Sequence, residues 1–242
     1  MSRRPGTCGR LLAAATLLLA PVGVAVAAQH EFWPELDGYF KLDDRARVFA
    51  AAASTHAQES DLQNGNWQTT DAQASVALDY TLKPLFRTAL GDQDWERNRY
   101  LWLRVGYTRV GNFDDDGNKS YNENRGVFEI RSHQPVLEDW GLDARLRWEA
   151  RDIDDRYSNR YRVRLHVERE IVYDGHALAP YVEAEVFYDT RYDTWNRHTF
   201  QAGVDIPLGR SWRIEPYLVY QDDNRSQSQY VSAFGLTLKF YH

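Results

Sequence analysis

Apolar and polar residues alternate one by one along most of this chain. In LDARLRWEAR, residues 142–151, Leu142, Ala144, Leu146, Trp148 and Ala150 interleave with Asp143, Arg145, Arg147, Glu149 and Arg151. A period of two is the signature of a β-strand with one apolar face. The alternation returns in residues 72–83, 101–108, 125–131, 161–168, 181–188, 199–206, 212–221 and 230–240. Two further strands are read at about 33–42 and 45–55, joined tightly at Asp43-Asp44. Helix-type periodicity is almost absent, and Pro and Gly sit mostly between the periodic segments.

The pattern predicts eleven strands of roughly nine to twelve residues. A globular strand usually has about five or six, whereas a tilted membrane-spanning strand needs about nine to eleven. Long polar connections at 111–122, 152–159, 189–196 and 222–229 alternate with shorter or plainer ones at 133–139, 172–177 and 207–211. Such alternation is the layout of an outer-membrane barrel. With the C-terminus on the periplasmic side, Tyr107, Trp148, Tyr161, Tyr188, Tyr220 and Tyr230 fall near the outer interface, and Trp140, Trp212 and Phe240 near the periplasmic one. Trp140 and Trp148 are eight residues apart on one face, about 20 Å along the axis at a tilt near 40°, which suits two aromatic girdles. The expected fold is therefore all-β: a closed antiparallel transmembrane β-barrel of about 12 strands, with ten as the alternative, because such barrels have an even strand number. Twelve requires a strand hidden in 57–71 or 84–97, and ten requires that 33–42 does not span. Pro216 lies inside a strand pattern and is expected to mark a bulge or a strand start, since a closed barrel has no edge to hide it.

The start of the chain is different in kind. Arg3, Arg4 and Arg10 precede an apolar stretch from Leu11 to about Val26, with Ala25, Ala27 and Ala28 as small cleavage-site residues. This reads as a cleaved signal peptide over residues 1–28, leaving 29–242 as the barrel of an exported Gram-negative protein. The single Cys, Cys8, lies in that segment, so the mature chain has no disulfide and no thiolate metal site. Removing Arg3, Arg4 and Arg10 takes the formal charge from −6 to −9, which argues against a nucleic-acid partner.

Between residues 125 and 215 the polar face carries near-equal numbers of cations and anions. A lumen charge cluster of Arg145, Arg147, Arg162, Arg164, His166, Glu168, Glu183 and Glu185 stands out, with Arg162, Arg164 and His166 expected across from Glu183 and Glu185 on the next strand. The balance of signs favours a filled or narrow lumen. His166 reads as a member of this network rather than a general base. A Ser–His lipid hydrolase needs the two side chains within hydrogen-bond reach, with a third group orienting the His. His198 is the lipid-facing His weighed for that role. Its neighbours present no Ser, and Ser232 is two strands away. The loop NFDDDGNKSYNE places Asn112, Asp114, Asp116, Gly117 and Glu123 at calcium-loop spacing, but with Asn first and strands in place of helices. The plainer reading is a solvated acidic hairpin. No catalytic residue, metal ligand or cofactor is expected.

Taken together, the segments EFWPELDGYFKL, RYLWLRVGYTRV, RGVFEIRSHQPVLEDWGLDARLRWEAR, YSNRYRVRLHVE, APYVEAEVFYDTRYD and VSAFGLTLKFY resemble the family of bacterial proteins known as domain of unknown function 2490. The resemblance spans nearly all of the mature chain. It implies an outer-membrane β-barrel and brings no reaction with it. The expected role is a monomeric, porin-like outer-membrane protein, structural or a narrow channel for a small solute. Its partners would be outer-membrane lipid and lipopolysaccharide, with the barrel-assembly machinery during biogenesis. The alternatives are a barrel enzyme acting on lipid or lipopolysaccharide, and a soluble ligand-binding barrel.

Overall fold

The computed structural model describes residues 29–58, 67–84, 99–113, 119–137, 139–173, 176–225 and 229–242. The expected signal segment 1–28, residues 59–66 and residues 85–98 lie outside them, and with these most of the span in which a hidden strand was sought.

Among the described residues twelve strands are formed. They are β1 (Gln29–Lys41), β2 (Ala46–Gln58), β3 (Trp67–Pro84), β4 (Arg99–Phe113), β5 (Lys119–Leu137), β6 (Trp140–Ile153), β7 (Arg156–Arg169), β8 (Ile171–Tyr173), β9 (His176–Asp189), β10 (Thr194–Pro207), β11 (Trp212–Asp223) and β12 (Tyr230–Tyr241). Eleven of them close a barrel. The twelfth, β8, is a three-residue strand that pairs only with β9 and extends one hairpin. Residues 33–41 belong to the wall, as part of β1, and Leu42 opens the turn.

The odd number of staves has a geometric consequence. Each wall strand is antiparallel to its sequence neighbour, so the first and the last run the same way. β1 and β12 accordingly close the barrel in parallel, from Gln29–Val231 to Tyr39–Tyr241, which corrects the all-antiparallel expectation at this one seam.

Pro216 also departs from expectation, since it marks neither a bulge nor a strand start. It pairs in register with Leu236 of β12. On its other side the β10–β11 pairing lapses between Gly203–Tyr217 and Ile206–Ile214 without losing register. A proline has no N–H for a ladder, and here the sheet gives up one short stretch of pairing instead of bulging. Pro34 does the same on β1, where the β1–β2 pairing lapses between Phe32–His56 and Glu35–Ala53. Leu236 has Pro216 on one flank and Pro34 on the other.

The wall is inside out relative to a water-soluble barrel. Leu146 is 55% and Trp148 42% exposed, and Val105, Leu165, Val182, Phe200 and Phe234 share the outer surface. Their strand neighbours Arg104, Arg145, Glu149 and Glu185 are buried in the lumen. Turns at 42–45 and 208–211 define one rim, the turn end; 154–155, 190–193 and 224–225 define the loop end. In the first turn the Asp43 carboxylate accepts the N–H groups of Arg45 and Ala46, both at 2.7 Å, an Asx-type closure.

Candidate functional site in the barrel lumen

The charged faces of β2 to β9 build one connected ion-pair network. At its start Asp79 takes Arg47 and Arg104, each at 2.6 Å. Glu129 holds Arg131 at 2.6 Å and Arg147 at 3.0 Å. Arg147 passes on to Glu149 at 2.7 Å, and Glu149 to Arg162 at 3.1 Å. Glu185 then joins Arg162 at 2.7 Å and Arg145 at 2.6 Å. Towards the loop end Glu123 accepts from Arg125 and Arg151, and Arg151 reaches Asp189 at 2.6 Å. Glu129 and Glu149 are fully buried, so each carboxylate is viable only because several guanidinium groups replace its water.

Arg162, Arg164 and His166 do meet Glu183 and Glu185. Directly opposite are Arg164–Glu185 and His166–Glu183, while Arg162 faces Phe187. The long arms reach diagonally, Arg162 to Glu185 and Arg164 to Glu183 at 3.3 Å. His166 lies between Glu183, at 3.2 Å from Nδ1, and Glu168, at 3.6 Å from Nε2, with its ring stacked on Tyr181 at 4.5 Å. Nearby, His133, Asp143 and Glu168 of three adjacent strands bring one potential ligand atom each to within 4.8 Å of one another. They are the donor set among the described residues that could hold a metal ion. Glu123, the last position of the calcium-like spacing, points inward to its two arginines; Asp114, Asp116 and Gly117 lie outside the described residues.

The network does not fill the barrel. A cavity of about 720 Å³ remains. Glu31, Glu35 and Asp37 of β1 line one side, and Arg104, Arg145, Arg162 and Arg164 line the other. Glu31 accepts from the Trp33 indole at 2.6 Å, and Asp37 from Tyr39 at 3.1 Å. Thus an acidic strip on β1 faces a wall of arginines paired with Glu183 and Glu185. The strip lies outside the charged run 125–215 that stands out in the sequence, although Glu31, Glu35 and Asp37 share the inward parity of β1.

The aromatics gather at the two ends of the outer wall. Trp148, Tyr161, Tyr188 and Trp195 are successive cross-strand partners at the loop end, and Tyr220 stacks on Tyr230 at 6.2 Å. At the turn end Trp212 packs on Phe240 at 4.7 Å, and Arg169 lies over Trp140. His198 sits on the outer wall opposite Val186 and Asp222, with no serine as a cross-strand partner. A different outer-wall histidine, His56, was not considered from sequence. Its Nε2 lies 3.0 Å from Ser54 Oγ and its Nδ1 3.1 Å from Thr69 Oγ1.

A family model described as "Protein of unknown function (DUF2490)" matches residues 30–232. No curated protein matches the chain. Among solved structures, the crystal structure of the beta domain of the Bordetella autotransporter Brka is similar, with 13% identity, a TM-score of 0.45, and coverage of 82% of this chain and 83% of that one.

Proposed function

The chain belongs to the DUF2490 family, and from that premise we propose that it is a β-barrel protein of the Gram-negative outer membrane with a narrow polar conduit. One observation carries this reading: large apolar side chains cover the outside of a closed barrel whose ionised groups are inside. In water that wall would be a continuous sticky surface, whereas in lipid it is the low-energy arrangement. The same observation weighs against a soluble ligand-binding barrel. The aromatics at both ends support girdles at the two interfaces. In this orientation the C-terminus and the turn end face the periplasm, and the loop end faces lipopolysaccharide. Biogenesis passes through the barrel-assembly machinery, and the barrel acts as a monomer.

The lumen supports a structural role or passage of a small solute. Its ion pairs brace the wall and narrow the bore. The cavity is flanked by the β1 carboxylates on one side and by arginines paired with Glu183 and Glu185 on the other, so both signs of charge reach its lining. A small polar solute carrying both signs of charge gains on both walls at once, while a simple ion pays on one. No reaction is assigned to the lumen. Planar-bilayer recording tests the reading. Small, steady conductance steps are expected, with the reversal potential in a salt gradient moving toward anion selectivity in E35Q/D37N. Silence across repeated insertions would leave the structural role alone.

A further inference from the structure

We propose that Ser54, His56 and Thr69 form an acyl-transfer site on the lipid-facing wall, acting on the ester-linked acyl chains of outer-leaflet lipid. Ser54 and His56 lie two apart on β2 and so share a face. That face is the outer one at His56, which stacks on Phe32 at 6.2 Å, and Phe32 on the exposed Phe234 at 5.9 Å; Ser54 also borders the lumen cavity, beside the lapse in pairing at Pro34. Thr69 reaches His56 because of an irregularity. Pairing steps from Thr55–Asp71 to His56–Thr69, which skips Thr70. When Thr69 Oγ1 accepts from Nδ1–H, the bare Nε2 faces the Ser54 hydroxyl, the tautomer that a general base requires.

The height of the site fits an ester substrate. One cross-strand row runs from Phe40 at the turn end through Val48, Leu78, Val105 and Phe128 to Trp148 at the loop end. Each step to the next strand therefore climbs. By the same drift the row Phe234–Phe32–His56 climbs to the loop end, and His56 stands two residues before the end of β2. In the orientation proposed above, on which this inference rests, that is the level of the outer-leaflet linkages. Just below, Ala52 pairs with Ala74 and Ser54 with Ala72, a shallow apolar dent that can take an acyl chain. The lapse of β1–β2 pairing at Pro34 puts the Ser54 and Thr55 backbone at a break in the ladder, where an oxyanion can find an N–H donor.

In the first step Ser54 Oγ attacks the ester carbonyl as His56 Nε2 takes its proton. The ester C–O bond breaks, and His56 hands that proton to the departing alcohol. Water then enters, His56 removes its proton, and hydroxide releases the fatty acid and returns Ser54 to its hydroxyl form. No oxidant or reductant is needed.

The full chain in detergent is treated with a fluorophosphonate probe, and the labelled peptide is mapped. Labelling at Ser54 is expected, lost in S54A and strongly slowed in H56N. Thr69 is a positioning residue, so T69V should slow labelling while T69S retains it, both with unchanged heat-modifiable migration. Fatty acid should be released from phosphatidylethanolamine or from lipopolysaccharide micelles, and the productive arm identifies the source. A folded wild-type protein that takes no label, label that survives S54A, or release from neither substrate overturns the proposal. Labelling is read in detergent, so it stands apart from any failure of the barrel to conduct or insert.

Discussion

Single ionised side chains hold this lumen together. Glu129 is fully buried and is met by Arg131 and Arg147. Replacing it with Gln removes the charge that both guanidinium groups were placed to meet. Breaking one side of a buried pair costs about 3–5 kcal/mol, mainly through the charge left behind. E129Q should therefore lower the urea midpoint of the detergent-folded barrel strongly, while the exposed pair of Lys41 with Asp44 should be lost in K41A with a shift near zero. At this scale much was legible: parity alone assigned Arg145, Arg147, Arg162, Arg164, Glu183 and Glu185 to one face. Parity could not show which acid each arginine chooses, because long side chains reach diagonally past the residue opposite. It also could not place Thr69 beside His56, since the skipped residue at Thr70 shifts the register locally, with no sequence signal of its own.

Strands in this barrel meet closely where a ring lies over a glycine. Tyr217 of β11 covers Gly235 of β12 and touches the space of a side chain at Gly203 of β10. A Cβ at Gly235 would stand inside the Tyr217 ring. The G235A barrel should thus be destabilised by about 1–3 kcal/mol, as overpacked sites are. Adding Y217A should restore part of the loss, measured by the same urea titration as a double-mutant cycle. Element existence was the most readable level, since every strand read from alternation is present. Pro216 was misjudged because a propensity rule knows only edges and bulges. A wide barrel can instead drop a few cross-strand contacts and keep register through the neighbours on the other side.

Closure was the least legible property. Whether a wall has ten, eleven or twelve staves depends on how its first and last strands meet, and no local pattern encodes that meeting. The orientation of the wall, by contrast, was written in every strand. Its sharpest test is Leu146, apolar, exposed and midway along β6. An arginine there should cost about 2–4 kcal/mol if lipid covers it, and near nothing if water does. L146R should fold less in phosphatidylcholine vesicles yet form normally in small detergent micelles, as judged by heat-modifiable migration. Equal folding in both media would remove the lipid contact from the reading. The parallel seam also bears on re-engineering the chain. Gln29 and Tyr241 lie at opposite rims, roughly 30 Å apart for tilted strands of this length. Joining them to make a circular permutant calls for a tether as long as the wall is high. Inside the barrel such a tether would have to follow the cavity beside β1, past the arginine arms that reach across from β4 to β7. Permutation, simple for barrels whose ends meet at one rim, would therefore cost this one part of its lumen.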